Sequence, residues 1–201
     1  MARTQAADYE KRRERIVEAA AGLFADKGFL GASIADIAEA CDISKSLIYH
    51  YYASKEEILF DVMHSHVKAL LDLAERIAAQ RDTPEKKLRA MTREFIQLYV
   101  GAASRQRVLL NELENLTADQ RKIVVGIQHN LIHIVEEIIA QLRPALSGRN
   151  PLATPAAMLY FGMINWMHTW LDASGRAKPA RIAELTANIF LDGLVKGDVP
   201  S

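Results

Sequence analysis

One cysteine, Cys41, stands in 201 residues, so no intrachain disulfide can form, and a reducing cytoplasm is the expected setting. No apolar run approaches the roughly 18 residues that a bilayer-spanning helix needs, which argues against a membrane partner. The opening MARTQAADYEKRRER carries charge but no apolar stretch, so a secretory leader is not expected. Neither sign of charge prevails: 25 Lys plus Arg face 25 Asp plus Glu. A neutral chain does not advertise nucleic-acid binding, so the distribution of charge matters more than its sum. Sustained two-residue alternation of apolar and polar residues, the signature of strands, is missing.

Catalytic signatures are missing too. There is no Gly-rich phosphate loop, Cys-x-x-Cys pair or serine elbow. His129 and His133 are four apart, the spacing of a metal pair, but Asn130 follows the first where a zinc-protease motif needs glutamate. Cys41 reads as a small buried residue rather than a nucleophile. The expectation is a protein that is not an enzyme and needs neither cofactor nor metal.

What is present is helical spacing. Ile16, Ala20, Leu23 and Phe24 make one stripe that stops near Gly28. Longer stripes follow: Ile58 to Ile77, Leu88 to Tyr99, Ile127 to Leu142, Tyr160 to Leu171 and Ile182 to Leu194. Ser54 with Glu57 and Thr117 with Gln120 read as capping boxes, and Thr83-Pro84 and Thr154-Pro155 as helix starts. The fold class is therefore all-α, with about nine helices. Three short ones end near residue 52, and a longer fourth begins at Lys55. The expected division is a small domain over 1–56 and a larger one over 57–201, with the boundary inside the fourth helix.

The stretch SIADIAEACDISKSLIYHYYASKEEI holds the clearest local pattern. Ser33 can cap a helix to about Ala40, Cys41-Asp42-Ile43 is a break, and Ser44 can cap a second helix from Lys45 to about Tyr51. Helix, three-residue turn, helix is the plan of a DNA-reading motif. Neither helix is long enough to stand alone, so helix 1 and the start of helix 4 must support the pair. Ile34, Ile37, Ala38, Ile43, Leu47 and Ile48 would close the small core. Lys45, Ser46, Tyr49 and His50 would face outward, with Tyr51 next and Lys55 opening the following helix. Lysine and tyrosine reach phosphate oxygens, while Lys45 and Ser46 are placed for base edges. A rotated helix would instead lay Leu47 against a thymine methyl. Tyr52 is assigned to the core. Residues 43–55 contain Lys45, Lys55 and no acid, so one small surface can be positive on a neutral chain.

These residues resemble the DNA-binding domain of the TetR/AcrR family of bacterial regulators. The likeness runs over about residues 10–60 and rests on Phe24 with Lys27-Gly28, Ser33 to Ala38, Ile43-Ser44-Lys45, Leu47-Ile48-Tyr49 and Lys55-Glu56. Ser33 stands where the family often has Thr and keeps the hydroxyl. Ser46-Leu47 departs from the usual small-plus-Thr pair, so no base preference carries over. The resemblance implies a homodimer bound to double-stranded operator DNA, closed by the last two helices of each subunit. It also implies a small-molecule effector in the larger domain, and repression relieved by that effector.

For the implied dimer, the patterns over 155–172 and 179–196 carry apolar residues on more than one face. Trp166 and Trp170 lie four apart and so share a face, and Ile182 and Ile189 belong to the last helix. For the implied effector site, the candidates are polar residues on apolar helices: Tyr99, Asn111, Glu112, Gln128, Asn165 and His168. YFGMINWMHTWLD loosely resembles the matching helix of members that sense fatty or aromatic acyl-CoA thioesters. Arg105 and Arg107 suit either CoA phosphates or a solvated helix start. A helical interaction module without a DNA role, and a multidrug-type repressor with a non-CoA effector, are the competing readings.

Overall fold

The computed structural model describes residues 2–147, 151–172 and 175–196, with side chains from 8 to 195. Among them are nine α-helices, three short 3-10 turns and no strand. The helices are α1 (Ala2–Gly31), α2 (Ile34–Ala40), α3 (Lys45–Tyr51), α4 (Lys55–Ala78), α5 (Pro84–Gly101), α6 (Ala103–Asn111), α7 (Ala118–Leu142), α8 (Ala153–Asn165) and α9 (Pro179–Lys196). Parts of the 147–155 and 173–179 loops expected from the sequence, residues 148–150 and 173–174, lie outside the described residues.

Contacts divide the chain into two compact units. One comprises Met1–Val67 with Ser104–Val125, the other Lys68–Ala103 with Gly126–Ser201. The first break falls inside α4, between residues 67 and 68. The first unit also recruits α6 and the start of α7, which no local pattern announces.

In the first unit, α1 is broken at Gly28, whose φ of 74° and ψ of 161° belong to a region that side-chain-bearing residues rarely enter. Ile16, Val17, Ala20 and Phe24 of α1 are buried, as are Ile37, Ile48, Ile58 and Val62 from α2, α3 and α4. Asp61 ties the unit together: it accepts from Tyr52 Oη at 2.5 Å and from Arg13 Nη2 at 2.6 Å. Burial, then the Asp61 carboxylate, pushes the Tyr52 phenol well above its ordinary range, so this acceptor keeps its donor. Arg105 of α6 pairs with Glu14 and Glu18 of α1, which commits it inside the unit rather than to a ligand phosphate. Arg107 pairs with Asp26 at 3.7 Å.

In the second unit α5 packs along α9, with α7 and α8 completing the core. Leu88, Met91 and Phe95 meet Val135, Ile138, Tyr160, Ile164, Ala183 and Ala187 in one buried cluster. The buried Tyr160 hydroxyl is satisfied by Thr92 Oγ1 at 3.0 Å. α7 is long and apolar enough to pass a test for crossing a membrane, with a mean hydropathy of 1.4. Its Leu131, Val135, Ile138 and Ile139 lie in this core, while 28% of its apolar window in all is buried.

Candidate nucleic-acid interface and ligand cavity

Two caps build the reading motif from the sequence upward. Ser33 Oγ accepts from the Asp36 amide at 3.2 Å, and the Asp36 carboxylate accepts from the Ser33 amide at 2.8 Å, a reciprocal capping box on α2. Lys27 Nζ adds an ion pair to Asp36 at 2.9 Å. The Ser33 hydroxyl and then Lys27 hold the Asp36 carboxyl well below the usual carboxylate range, so the box stays charged. The turn that follows places Asp42 at a φ of 53°, a left-handed geometry that Asp tolerates. Ser44 Oγ then accepts from the Leu47 amide at 3.2 Å and starts α3, with Ser46 Oγ 2.9 Å away.

α3 has two sides. Ile48 is wholly buried. Lys45, Ser46, Tyr49 and His50 are exposed together on the other side, and Tyr49 is 56 % exposed. An open groove runs beside them, lined by Ser33, Ile34, Lys45, Tyr49, Ser54 and Lys55 among others. Three expected contact residues are placed differently. Leu47 is half-buried and lines a small hollow with Ile16, Cys41 and Ile43. Tyr51 stacks on Tyr9 at 4.6 Å between ring centres, which fixes the end of α3 against α1. Lys55 Nζ donates to the Phe29 and Ala32 carbonyls at 2.7 and 2.8 Å and lies 4.2 Å over the Phe29 ring. It is a clamp on the end of α1, where helix carbonyls lack partners, rather than a free cation.

The second unit holds a cavity of about 250 Å³ at the C-terminal end of α5. Ile96, Val100, Ala103, Met167 and Leu171 form its apolar wall, and Tyr99, His168 and Asp172 its polar side. Tyr99 Oη donates to Asn165 Oδ1 at 2.9 Å, and His168 Nδ1 lies 2.6 Å from the Asn165 carbonyl oxygen. Of the six polar candidates, Tyr99, Asn165 and His168 are thus brought together. Asn111 and Glu112 belong to the other compact unit, where Glu112 accepts from Asn115 Nδ2 at 2.7 Å. Gln128 is half-buried on α7 and does not line this cavity.

The family model described as bacterial regulatory proteins, tetR family, matches residues 16–62. The one described as tetracyclin repressor-like, C-terminal domain, matches residues 81–194. The chain belongs to the TetR family. As a member it is a transcriptional regulator and not an enzyme. A TetR-family transcriptional regulator from Bordetella parapertussis 12822 is 38% identical, with a TM-score of 0.86 over 94% of this chain and 98% of that one. AibR, solved with isovaleryl coenzyme A and operator DNA, is 27% identical with a TM-score of 0.78, over 89% of this chain and 97% of its own. The HTH-type transcriptional regulator HbdR of Aromatoleum sp. (strain CIB) is 25% identical over 171 residues, 80% of this chain and 69% of HbdR.

In this TetR-family regulator the last helices expose a set of large apolar side chains. Met158, Leu159 and Trp166 lie out on α8 and just past its end, Leu185 and Ile189 on α9. Of the four expected dimer residues, Trp166, Trp170 and Ile189 are more than half exposed, whereas Ile182 is partly buried against the core. The shared face expected of Trp166 and Trp170 is corrected: α8 ends at Asn165, and Trp166–Thr169 is a 3-10 turn in which residues four apart diverge. Met158, Leu159 and Leu185 are exposed beside them in the sequence of these helices.

Proposed function

We propose that the protein is a homodimeric repressor that holds double-stranded operator DNA through α3 of each subunit and releases it on binding a small acyl-CoA thioester. What supports the DNA half is one row of side chains. Lys45, Ser46, Tyr49 and His50 stand exposed on a helix whose opposite side is buried and whose start is capped. In this reading Lys45 and Ser46 address base edges, and Tyr49, Ser33 and Ser44 address phosphates. Two such helices must sit about one turn of DNA apart, roughly 34–36 Å or a multiple of it, so a dimer is required. The exposed apolar residues of α8 and α9 supply a surface for it, since contiguous apolar patches on a soluble protein mark contact sites.

The effector half rests on the cavity beside Tyr99. It is apolar with a few polar groups on one side, the make-up of a small-molecule site. AibR, with its isovaleryl coenzyme A, favours a thioester as the ligand class. A ligand acts only through its difference in affinity between the two dimer geometries, so binding must favour a head spacing that misfits the operator.

The test is thermal stability of the pure protein against fatty and aromatic acids, their CoA thioesters, and CoA alone. A ligand at 100 times its dissociation constant adds about 2.7 kcal/mol, enough for a shift of several degrees. A shift with thioesters and not with acids or CoA is expected. A shift only with hydrophobic molecules that carry no CoA would replace this reading with a multidrug-type repressor.

A further inference from the structure

Resting on the reading of α3 as the DNA-contacting helix, we infer that Arg12 of α1 is a further DNA contact, a guanidinium held beside the C-terminal end of α3 to take a backbone phosphate of the same duplex.

Four cations stand close together in α1: Lys11, Arg12, Arg13 and Arg15. Two are committed within the first unit. Arg13 Nη2 donates to Asp61 at 2.6 Å, and Arg15 Nη2 donates to the Cys41 carbonyl at 3.0 Å. Lys11 and Arg12 are exposed, and among the described residues neither has a hydrogen-bond or ion-pair partner. Of these two, Arg12 is the one beside α3. Tyr9, Arg12 and Ile16 follow one another at steps of three and four residues, which makes them one stripe along α1. That stripe meets α3: Tyr9 stacks on Tyr51, and Arg12 and Ile16 line the same small hollow as Leu47 and Tyr51. Lys11 sits about 100° round the helix from Arg12.

The size of α3 says what Arg12 meets there. Its seven residues span about 10 Å, and the major groove is about 12 Å wide. With Lys45 and Ser46 at base edges, the far end of α3 at Tyr51 arrives at the wall of the groove, where the phosphates are. A guanidinium beside that end offers a planar fork of N–H donors that matches two phosphate oxygens. It has no ion pair to break first. The acids nearest in sequence, Asp8 one turn earlier and Asp42 in the turn before α3, are not paired with it. On a chain of zero net charge, each cation turned toward the duplex carries a large share of the electrostatic attraction.

The experiment is binding of the full chain, at about 50 to 200 mM salt, to two duplexes: one enriched by the protein from a randomised pool, and one of mixed sequence. Arg12→Ala should weaken binding to both by the same factor. It should also flatten the plot of log affinity against log salt by about 0.9 for each subunit engaged, about two for a dimer. Arg12→Lys, which keeps the charge, should retain most of the slope. Arg12 is exposed, so the melting temperature of either variant should stay near that of the wild type. A slope unchanged in Arg12→Ala overturns the inference; if the Lys45→Ala, Tyr49→Ala double variant binds more weakly, the reading of α3 stands without it. An equal flattening in Lys11→Ala also overturns it, because the effect then belongs to the charge of the helix start and not to a placed contact. Flattening in Arg12→Ala with wild-type binding by the double variant keeps the phosphate contact and removes the reading of α3. Binding of neither duplex by the wild type removes both.

Discussion

His66 Nε2 and Gln106 Oε1 lie 2.7 Å apart, a hydrogen bond that joins α4 to α6 inside the first unit. Both side chains are almost wholly buried. The amide oxygen accepts, so Nε2 carries the proton of a neutral ring. Burial, against a smaller opposing effect of the Gln106 bond, pushes the imidazole down to about 4. The unfolded chain therefore binds a proton at a higher pH than the folded one. Stability is full above pH 6.5 and is lost as the pH falls toward 4, by up to about 3 kcal/mol. Urea unfolding between pH 7 and 4.5 should show this decline. His66→Gln, which keeps an amide donor without a titrating ring, should flatten it; an unchanged acid limb in that variant would assign the decline elsewhere.

Gly28 has a φ of 74° and ψ of 161°, and a Cβ placed on it would come no closer than 3.6 Å to Glu112. There is room for a methyl group, but the backbone geometry is wrong for one. Gly28→Ala should lower stability by about 1–3 kcal/mol through strain alone. A melting temperature equal to that of the wild type would show that the break in α1 relaxes at no cost.

The two lysines of the reading motif should separate cleanly. Lys55 holds two backbone carbonyls, so Lys55→Ala should destabilise the fold by about 1–3 kcal/mol. Lys45 is exposed, so Lys45→Ala should leave the melting temperature near that of the wild type. Its operator affinity should fall by about 1–3 kcal/mol if Lys45 reads a base, or show a shallower salt dependence if it touches phosphate. Thermal melts alongside binding titrations at several salt concentrations decide both points.

Leu159 and Leu185 are 70% and 54% exposed on the last helices. Leu185→Glu should yield a monomer by sedimentation while keeping its helical content, and should bind operator far more weakly because only one head engages. A dimer that persists would move the interface off this surface.

What could be read in the sequence was what is local. The caps at Ser33 and Ser44, the turn at Cys41-Asp42-Ile43 and the burial of Tyr52 all follow from neighbours a few residues apart, and the structure reproduces them. What was hidden depends on distant partners. Lys55 finds its carbonyls 26 and 23 residues back along the chain, so on sequence alone it looked like a free cation. The cavity wall was hidden for another reason. Ile96, Val100 and Leu171 carry the same pattern as core residues, and only their placement beside Tyr99 and His168 distinguishes them. The break at Ala102, with φ −132° and ψ 43° between α5 and α6, had a faint signal in Gly101-Ala102-Ala103.

The most direct measurement is selection of bound duplexes from a randomised DNA pool by the pure protein and by a Lys45→Ala, Tyr49→Ala double variant. Enrichment of a two-fold symmetric sequence by the wild type, lost in a double variant that remains folded and dimeric, is the expected result. Enrichment of no sequence, or of the same sequence equally by both proteins, would contradict DNA reading by this face of α3.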